Sequence, residues 1–321
     1  MYPLTTRAQF EAETDPSGRF VRQVSAFRGW VASGSPHPPE AGRYHLYVSY
    51  ACPWAHRVII ARALKGLRGV VAMTIVDPIR DEHGWAFTHE PDPVNGWAFL
   101  SEGYRATDSD WRGRVTVPVL WDTRAGCIIN NESEDILRIF DSGFGPLASD
   151  SPVLRPADLE LEIDAVNAVV YPLINNGVYR AGFATTQAAY DDAASDVSRG
   201  LSEVETILER SRWLAGNRFT EADIRLFTTL VRFDPVYHTH FKCNERLIAD
   251  SPTLCGFMRD VAQIPGVMDT TSMDHIKRHY YLTHGAINPA GIIPVSNGPD
   301  LTTPHSRDHL GPEALAGGPT A

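Results

Sequence analysis

The sequence predicts an α/β domain followed by an all-α domain, and three observations lead there. Up to about residue 150, short β-branched and aromatic runs alternate with helical patterns and loops. From about residue 155, helical patterns stand alone. The length of 321 residues is about two domains on the usual prior. Hydrophobic residues at 43% and charged residues at 21% are the balance of a folded chain with a sizeable core, which excludes overall disorder.

The first 40 residues, rich in Gly, Ser, Pro and charge, read as an arm laid over the surface or partly mobile. The first domain is expected over 41–150. Residues 44–48 (YHLYV) read as a strand, and 54–67 as a helix with apolar positions at Val58, Ile59, Ala61, Ala63 and Leu64. Pro53 is well suited to the first helical position, which puts Cys52 at or just outside the helix N-terminus. A second strand follows over 70–76, then a long loop over 77–111 with Gly-Trp at 84–85 and again at 96–97. Loops this long are uncommon and often functional.

Residues 115–121 and 127–129 read as strands joined by the turn 122–126. Pro118 has no N–H for a ladder, which implies an edge, a bulge or a special peptide geometry; trans is the isomer expected from sequence alone. Residues 130–133 (NNES) then lead into a short amphipathic helix over 134–140. The order β-α-β, then β-β-α, is that of a thioredoxin-like domain. The all-α domain, 151–295, carries helical patterns at 157–175, 185–210, 221–233, 254–261 and 273–282, with a capping box at Thr220 and Asp223. The tail 296–321, above all from Pro304, is expected to be disordered.

The 29 Lys and Arg against 39 Asp and Glu leave a formal charge of −10, which argues against nucleic acid as a partner. No apolar run reaches the roughly 18 residues of a membrane span, and the start lacks the apolar core of a signal peptide, so no membrane is expected and the cytoplasm is the expected compartment. Cys52, Cys127, Cys243 and Cys255 are too scattered for a disulfide framework, and no His or Cys spacing suits a metal.

Three features carry chemistry. Cys52, after a strand and before a proline-started helix, faces exposed N–H groups that favour the thiolate. An arbitrary cysteine is more often buried packing, but this placement reverses the odds. Ala55 stands where a dithiol oxidoreductase keeps its second cysteine, so a mixed disulfide at Cys52 must be resolved by an external thiol. A cis Val117-Pro118 bond would expose the Val117 backbone to an extended peptide, while Ser133 and its neighbouring N–H groups suit a carboxylate and Glu132 an ammonium; simple N-capping would explain that last pair equally well. Together the three describe a site for γ-glutamyl-cysteinyl-glycine.

The strings YVSYACPWAHR at 47–57, TVPVLWD at 116–122, NNES at 130–133, NNGVYRAGFA at 175–184, RFDPVY at 232–237, HFKCN at 240–244, and INP with GIIP within 287–294 resemble the glutathionyl-hydroquinone reductases, the xi class of glutathione transferases. The resemblance runs from about residue 40 to 295. It implies the glutathione transferase fold, a homodimer, and reduction of S-glutathionyl-hydroquinones with glutathione as co-substrate. Carried over by motif, Cys52 is the nucleophile, with Trp85, Arg114, Val117, Glu132 and Ser133 holding glutathione. Tyr179 and Tyr280 stand at the hydroquinone pocket as catalytic groups, joined in binding by Tyr237 and Tyr171; without the resemblance, packing plus one hydrogen bond would be the reading of each. Tyr50 departs from the family, where many members carry an aliphatic residue. The rival expectation is an omega-like or glutaredoxin-like thiol transferase acting on dehydroascorbate or mixed disulfides. A non-enzymatic binding module would need no reactive thiol.

Overall fold

A computed structural model of the chain describes residues 13–81, 83–149 and 152–314. The start of the expected arm, 1–12, and the end of the expected tail, 315–321, lie outside the described residues. Two compact units divide the chain. The first takes the described parts of Gln23–Ser151 with Asp269–His279; the second takes Pro152–Met268 with the described parts of Pro3–Arg22 and Tyr280–Ala321.

The first unit is built on four strands, β1 (Tyr44–Val48), β2 (Ala72–Ile75), β3 (Val119–Asp122) and β4 (Cys127–Asn130), in the order β2-β1-β3-β4. β2 runs parallel to β1, while β3 is antiparallel to both β1 and β4. Every residue of β1 is buried, as a strand covered on both faces must be. Helix α1 (Pro53–Leu64) follows β1 and stops short of the expected Leu67, because Gly66 turns the chain through a left-handed φ of +65°. Helix α3 (Ser133–Arg138) follows β4 and packs on α1. The thioredoxin-like order expected from the sequence is present.

Three local expectations need correction. The loop over 77–111 contains a helix, α2 (Leu100–Thr107), whose first turn is capped by the Glu102 carboxylate accepting the N–H groups of Ala98 and Phe99, each at 2.9 Å. Residues 115–118 do not join β3, since the Thr116 N–H bonds the Tyr104 hydroxyl instead of a strand. The Val117-Pro118 peptide is cis, not trans.

Part of the arm is ordered against the sheet. Arg28 bridges Asn130, the Gly29 N–H donates to the Ile129 carbonyl at 2.8 Å, and the Asn131 N–H donates to the Phe27 carbonyl at 3.0 Å. A Cβ on Gly29 would lie 2.9 Å from the Ile129 oxygen, so only glycine permits the approach. The arm thereby covers the exposed edge of β4.

The second unit holds α4 (Glu160–Val169), α5 (Gly177–Gly182), α6 (Gln187–Leu208), α7 (Glu221–Arg232) and α8 (Pro252–Gln263); α9 (Met273–Thr283) belongs to the first unit through His279 and to the second from Tyr280. The expected helix 157–175 loses α geometry where Pro172 lacks an N–H, and Val170–Asn175 winds as a wider π turn. Phe233–Tyr237, around Pro235, does the same. All of α7 is buried, and its capping box forms as expected, with the Thr220 N–H donating to Asp223 Oδ2 at 2.8 Å.

The stretch from Pro304, expected to be disordered, is packed as far as it is described. Buried Arg307 donates to the carbonyls of Leu208, at the end of α6, and of Ser211 and Arg212 just beyond it, and Trp213 Nε1 donates to the Pro312 carbonyl at 3.0 Å. The polar, proline-containing composition conceals this anchor because a single buried guanidinium satisfying open carbonyls leaves no periodic signal.

Candidate active site

Strand direction alone brings the chemical groups of the first unit together. β1 and β4 are each antiparallel to β3, so they run the same way and their C-terminal ends lie at one edge of the sheet. Cys52 leaves β1 at that edge, and Glu132 and Ser133 leave β4 there. Parallel β2 delivers the loop carrying Trp85 to the same edge. β3 enters from it, just after Val117 and Pro118.

Cys52 is the N-cap of α1, with extended φ −77° and ψ 121°, and its Sγ accepts the Ala55 N–H at 3.5 Å. The same sulfur lies 3.5 Å from the Val117 carbonyl oxygen. Cys52 is half-buried and none of the four cysteines is in a disulfide. Burial pushes the thiol of Cys243 up to about 12 and raises that of Cys127 and of Cys255, so these three hold their protons.

Glu132 is the N-cap of α3. Its Oε1 accepts the Glu134 N–H at 3.3 Å and the Ser133 hydroxyl at 3.4 Å, while Oε2 accepts the Ser25 hydroxyl at 2.9 Å. Ser133 is buried at the first position of α3. Trp85 is buried, its ring stacked on His279 at 5.1 Å and approached by the Arg80 guanidinium, also at 5.1 Å. Its Nε1 is buried without an acceptor, a state shared with Trp111 and Trp121. Half-buried Arg114 precedes the Val117-Pro118 turn, and its positive charge acts on the Tyr104 phenol.

In the second unit, three of the four expected tyrosines form one chain of hydroxyls. Tyr280 bonds Tyr179 at 2.5 Å and Tyr237 at 2.9 Å. Tyr237 and Tyr280 are buried and Tyr179 is half-buried, so Tyr179 is the end nearest solvent. Burial raises the phenols of Tyr237 and Tyr280 well above 10, which keeps both protonated. Tyr171 is placed differently, on the π turn after α4 and 39% exposed.

The glutathione S-transferase N-terminal domain family model matches residues 51–142, and the C-terminal domain model matches 187–259. The glutathionyl-hydroquinone reductase YqjG of Escherichia coli K12 is 47% identical over 304 residues, covering 91% of this chain and 93% of the relative. A solved xi-class structure from Natrialba magadii superposes with a TM-score of 0.87 at 46% identity, over 92% of this chain and 96% of that one. This chain belongs to the xi class of glutathione transferases. The glutathione-bound structure of YqjG matches this xi-class chain with a TM-score of 0.84 at 46% identity, over 88% of this chain and 96% of that one.

The xi-class chain also contains supporting residues that the sequence does not announce. The Tyr104 hydroxyl donates to the Thr116 carbonyl at 2.9 Å and accepts the Thr116 N–H and the Asn131 side-chain amide, tying α2 to the residues before Val117 and before Glu132. His279 Nδ1 bonds the Pro78 carbonyl oxygen at 2.7 Å, fixing the ring on which Trp85 stacks. Arg22 lays its guanidinium over the Tyr179 ring at 4.9 Å, with its Nε donating to Asn176 at 3.0 Å. Recognising α2 through Glu102 would have exposed Tyr104 on a helix; the other two contacts leave no local trace. Among the described residues, no group of His, Cys, Asp and Glu side chains could hold a metal ion.

Proposed function

We propose that the protein reduces S-glutathionyl-hydroquinones to hydroquinones with glutathione, through a Cys52–glutathione disulfide. The observation that carries this is the Cys52 sulfur at the head of α1, accepting a backbone N–H, with Ala55 in place of a second thiol. A helix N-terminus stabilises the thiolate, and the missing partner leaves glutathione itself to resolve the adduct.

The Cys52 thiolate attacks the sulfur of the glutathionyl thioether. A sulfur–sulfur bond forms, the sulfur–aryl bond breaks, and the electron pair goes to the aryl carbon, which takes a proton and leaves as hydroquinone. A second glutathione thiolate attacks the mixed disulfide, giving oxidised glutathione and restoring Cys52. The aryl carbon is reduced and the two glutathione sulfurs are oxidised, so the cycle balances without a metal. In this reading the Tyr179–Tyr280–Tyr237 chain supplies the proton, because buried neutral phenols retain theirs at working pH. Tyr171, 39% exposed, is assigned to hydroquinone binding and not to the proton chain.

For glutathione, the reading assigns Val117 to backbone pairing with the cysteinyl residue, Ser133 to the γ-glutamyl carboxylate and Glu132 to its ammonium. Arg114 takes the glycyl carboxylate and the Trp85 Nε1–H supplies a further donor. The proposal includes a homodimer, which sedimentation equilibrium checks, and a place in the reducing cytoplasm, where the thiol and its co-substrate stay reduced.

Mass spectrometry after exposure to a glutathionyl-hydroquinone without added glutathione should find one glutathione on the Cys52 peptide. An unmodified peptide together with turnover would overturn the mechanism. A small disulfide substrate, run in parallel, separates this activity from that of an omega-like thiol transferase.

A further inference from the structure

We infer that Ser25, on the N-terminal arm, is a positioning residue for glutathione: it orients the Glu132 carboxylate toward the γ-glutamyl ammonium. The inference rests on the assignment of Glu132 made above. The Ser25 hydroxyl has one proton, and its shorter contact is to Glu132 Oε2 at 2.9 Å, against 3.4 Å to the Asn131 carbonyl. Glu134 N–H and the Ser133 hydroxyl engage the other oxygen at 3.3 and 3.4 Å. With a donor on each oxygen the carboxylate plane cannot rotate, yet Oε2 keeps a lone pair for a ligand donor. A group fixed before binding loses less conformational freedom on binding.

The arm holds Ser25 in register by backbone pairing. The Phe27 N–H donates to Asn131 Oδ1 at 3.1 Å, the Asn131 N–H donates to the Phe27 carbonyl at 3.0 Å, and Arg28 pairs with Asp135 through Nη2 to Oδ1 at 2.8 Å. Val24, beside Ser25, is 86% exposed, so apolar burial of this neighbour does not account for the placement. The sequence reads this segment as a covering arm, yet it delivers a side chain to a substrate-recognition carboxylate 107 residues away.

The test compares glutathione with glutaryl-cysteinyl-glycine, which lacks the γ-glutamyl ammonium, by calorimetric titration of the wild type, Ser25→Ala, Ser25→Thr and Glu132→Gln. Ser25→Ala should weaken glutathione about five- to tenfold while leaving the affinity for the analogue unchanged, and Ser25→Thr, which keeps the hydroxyl, should restore wild-type affinity. In turnover the loss should appear as a raised KM for glutathione with kcat held. Unchanged glutathione affinity in Ser25→Ala, or an equal loss for both ligands, would refute the role of Ser25 while wild-type discrimination between the ligands survives. If the wild type and Glu132→Gln fail to discriminate between the ligands at all, the Glu132 assignment itself falls and this inference with it.

Discussion

In the first unit, Cys52, Val117 and Glu132 meet at one sheet edge because strand direction puts them there; in the second, Tyr179, Tyr237 and Tyr280 meet through their own hydroxyls. The first set consists largely of backbone ends and capping side chains, each within a few residues of the strand that places it. The second joins side chains 101 and 43 residues apart along the chain. Backbone-built groups persist when one side chain is altered, whereas a hydroxyl chain is broken by removing its central oxygen.

The largest effect expected is at Cys52. Cys52→Ala should lower turnover by about 10³-fold or more while glutathione still binds, because the covalent step is lost and the edge is not; steady-state rates and calorimetric titration check both halves. Next, Tyr280→Phe removes the central hydroxyl and should cost about 100-fold in kcat with a quinol substrate, while the rate with a small disulfide stays within about twofold. An equal loss for both substrates would show that the tyrosine chain serves structure and not the quinol.

Acid should weaken both units through a buried histidine in each. Burial lowers His45 from 6.5 to about 4 and His240 from 6.5 to about 3. Between those values and 6.5 the unfolded chain binds the proton and the folded chain does not, so stability is full above 6.5 and falls as the pH drops. Each histidine should remove about 2 kcal/mol by pH 5. Urea unfolding at pH 7 and pH 5 measures this, and replacing either residue by Asn should flatten the difference. The smallest effect belongs to Tyr104→Phe, which removes the hydroxyl bonded to Thr116 and Asn131 and should cost about 1–2 kcal/mol. Thermal unfolding reads that loss, and a raised KM for glutathione would show that Tyr104 steadies the binding edge.

Legibility follows the same division. Pro53 placed Cys52 at a helix start, and Thr220 with Asp223 marked the head of α7, because caps and first-turn prolines act over three or four residues. Helix α2 is hidden within a stretch rich in Gly and Pro, although Glu102 caps it. The cis peptide before Pro118 was unreadable because the free-energy difference between isomers is small and the surroundings select one. Arg307 was unreadable because its partners lie about a hundred residues earlier.

By itself the sequence determined the two-part architecture, the sulfur at the mouth of α1 and the acidic and hydroxyl pair at the head of α3, since periodicity and capping are written in neighbouring residues. Tertiary structure alone decided that Tyr179, Tyr280 and Tyr237 share protons, that His279 stacks on Trp85, and that an arm serine reaches Glu132. Each of those contacts joins residues far apart in the chain, and their orientation is fixed only when packing and burial leave a polar group one place to bond.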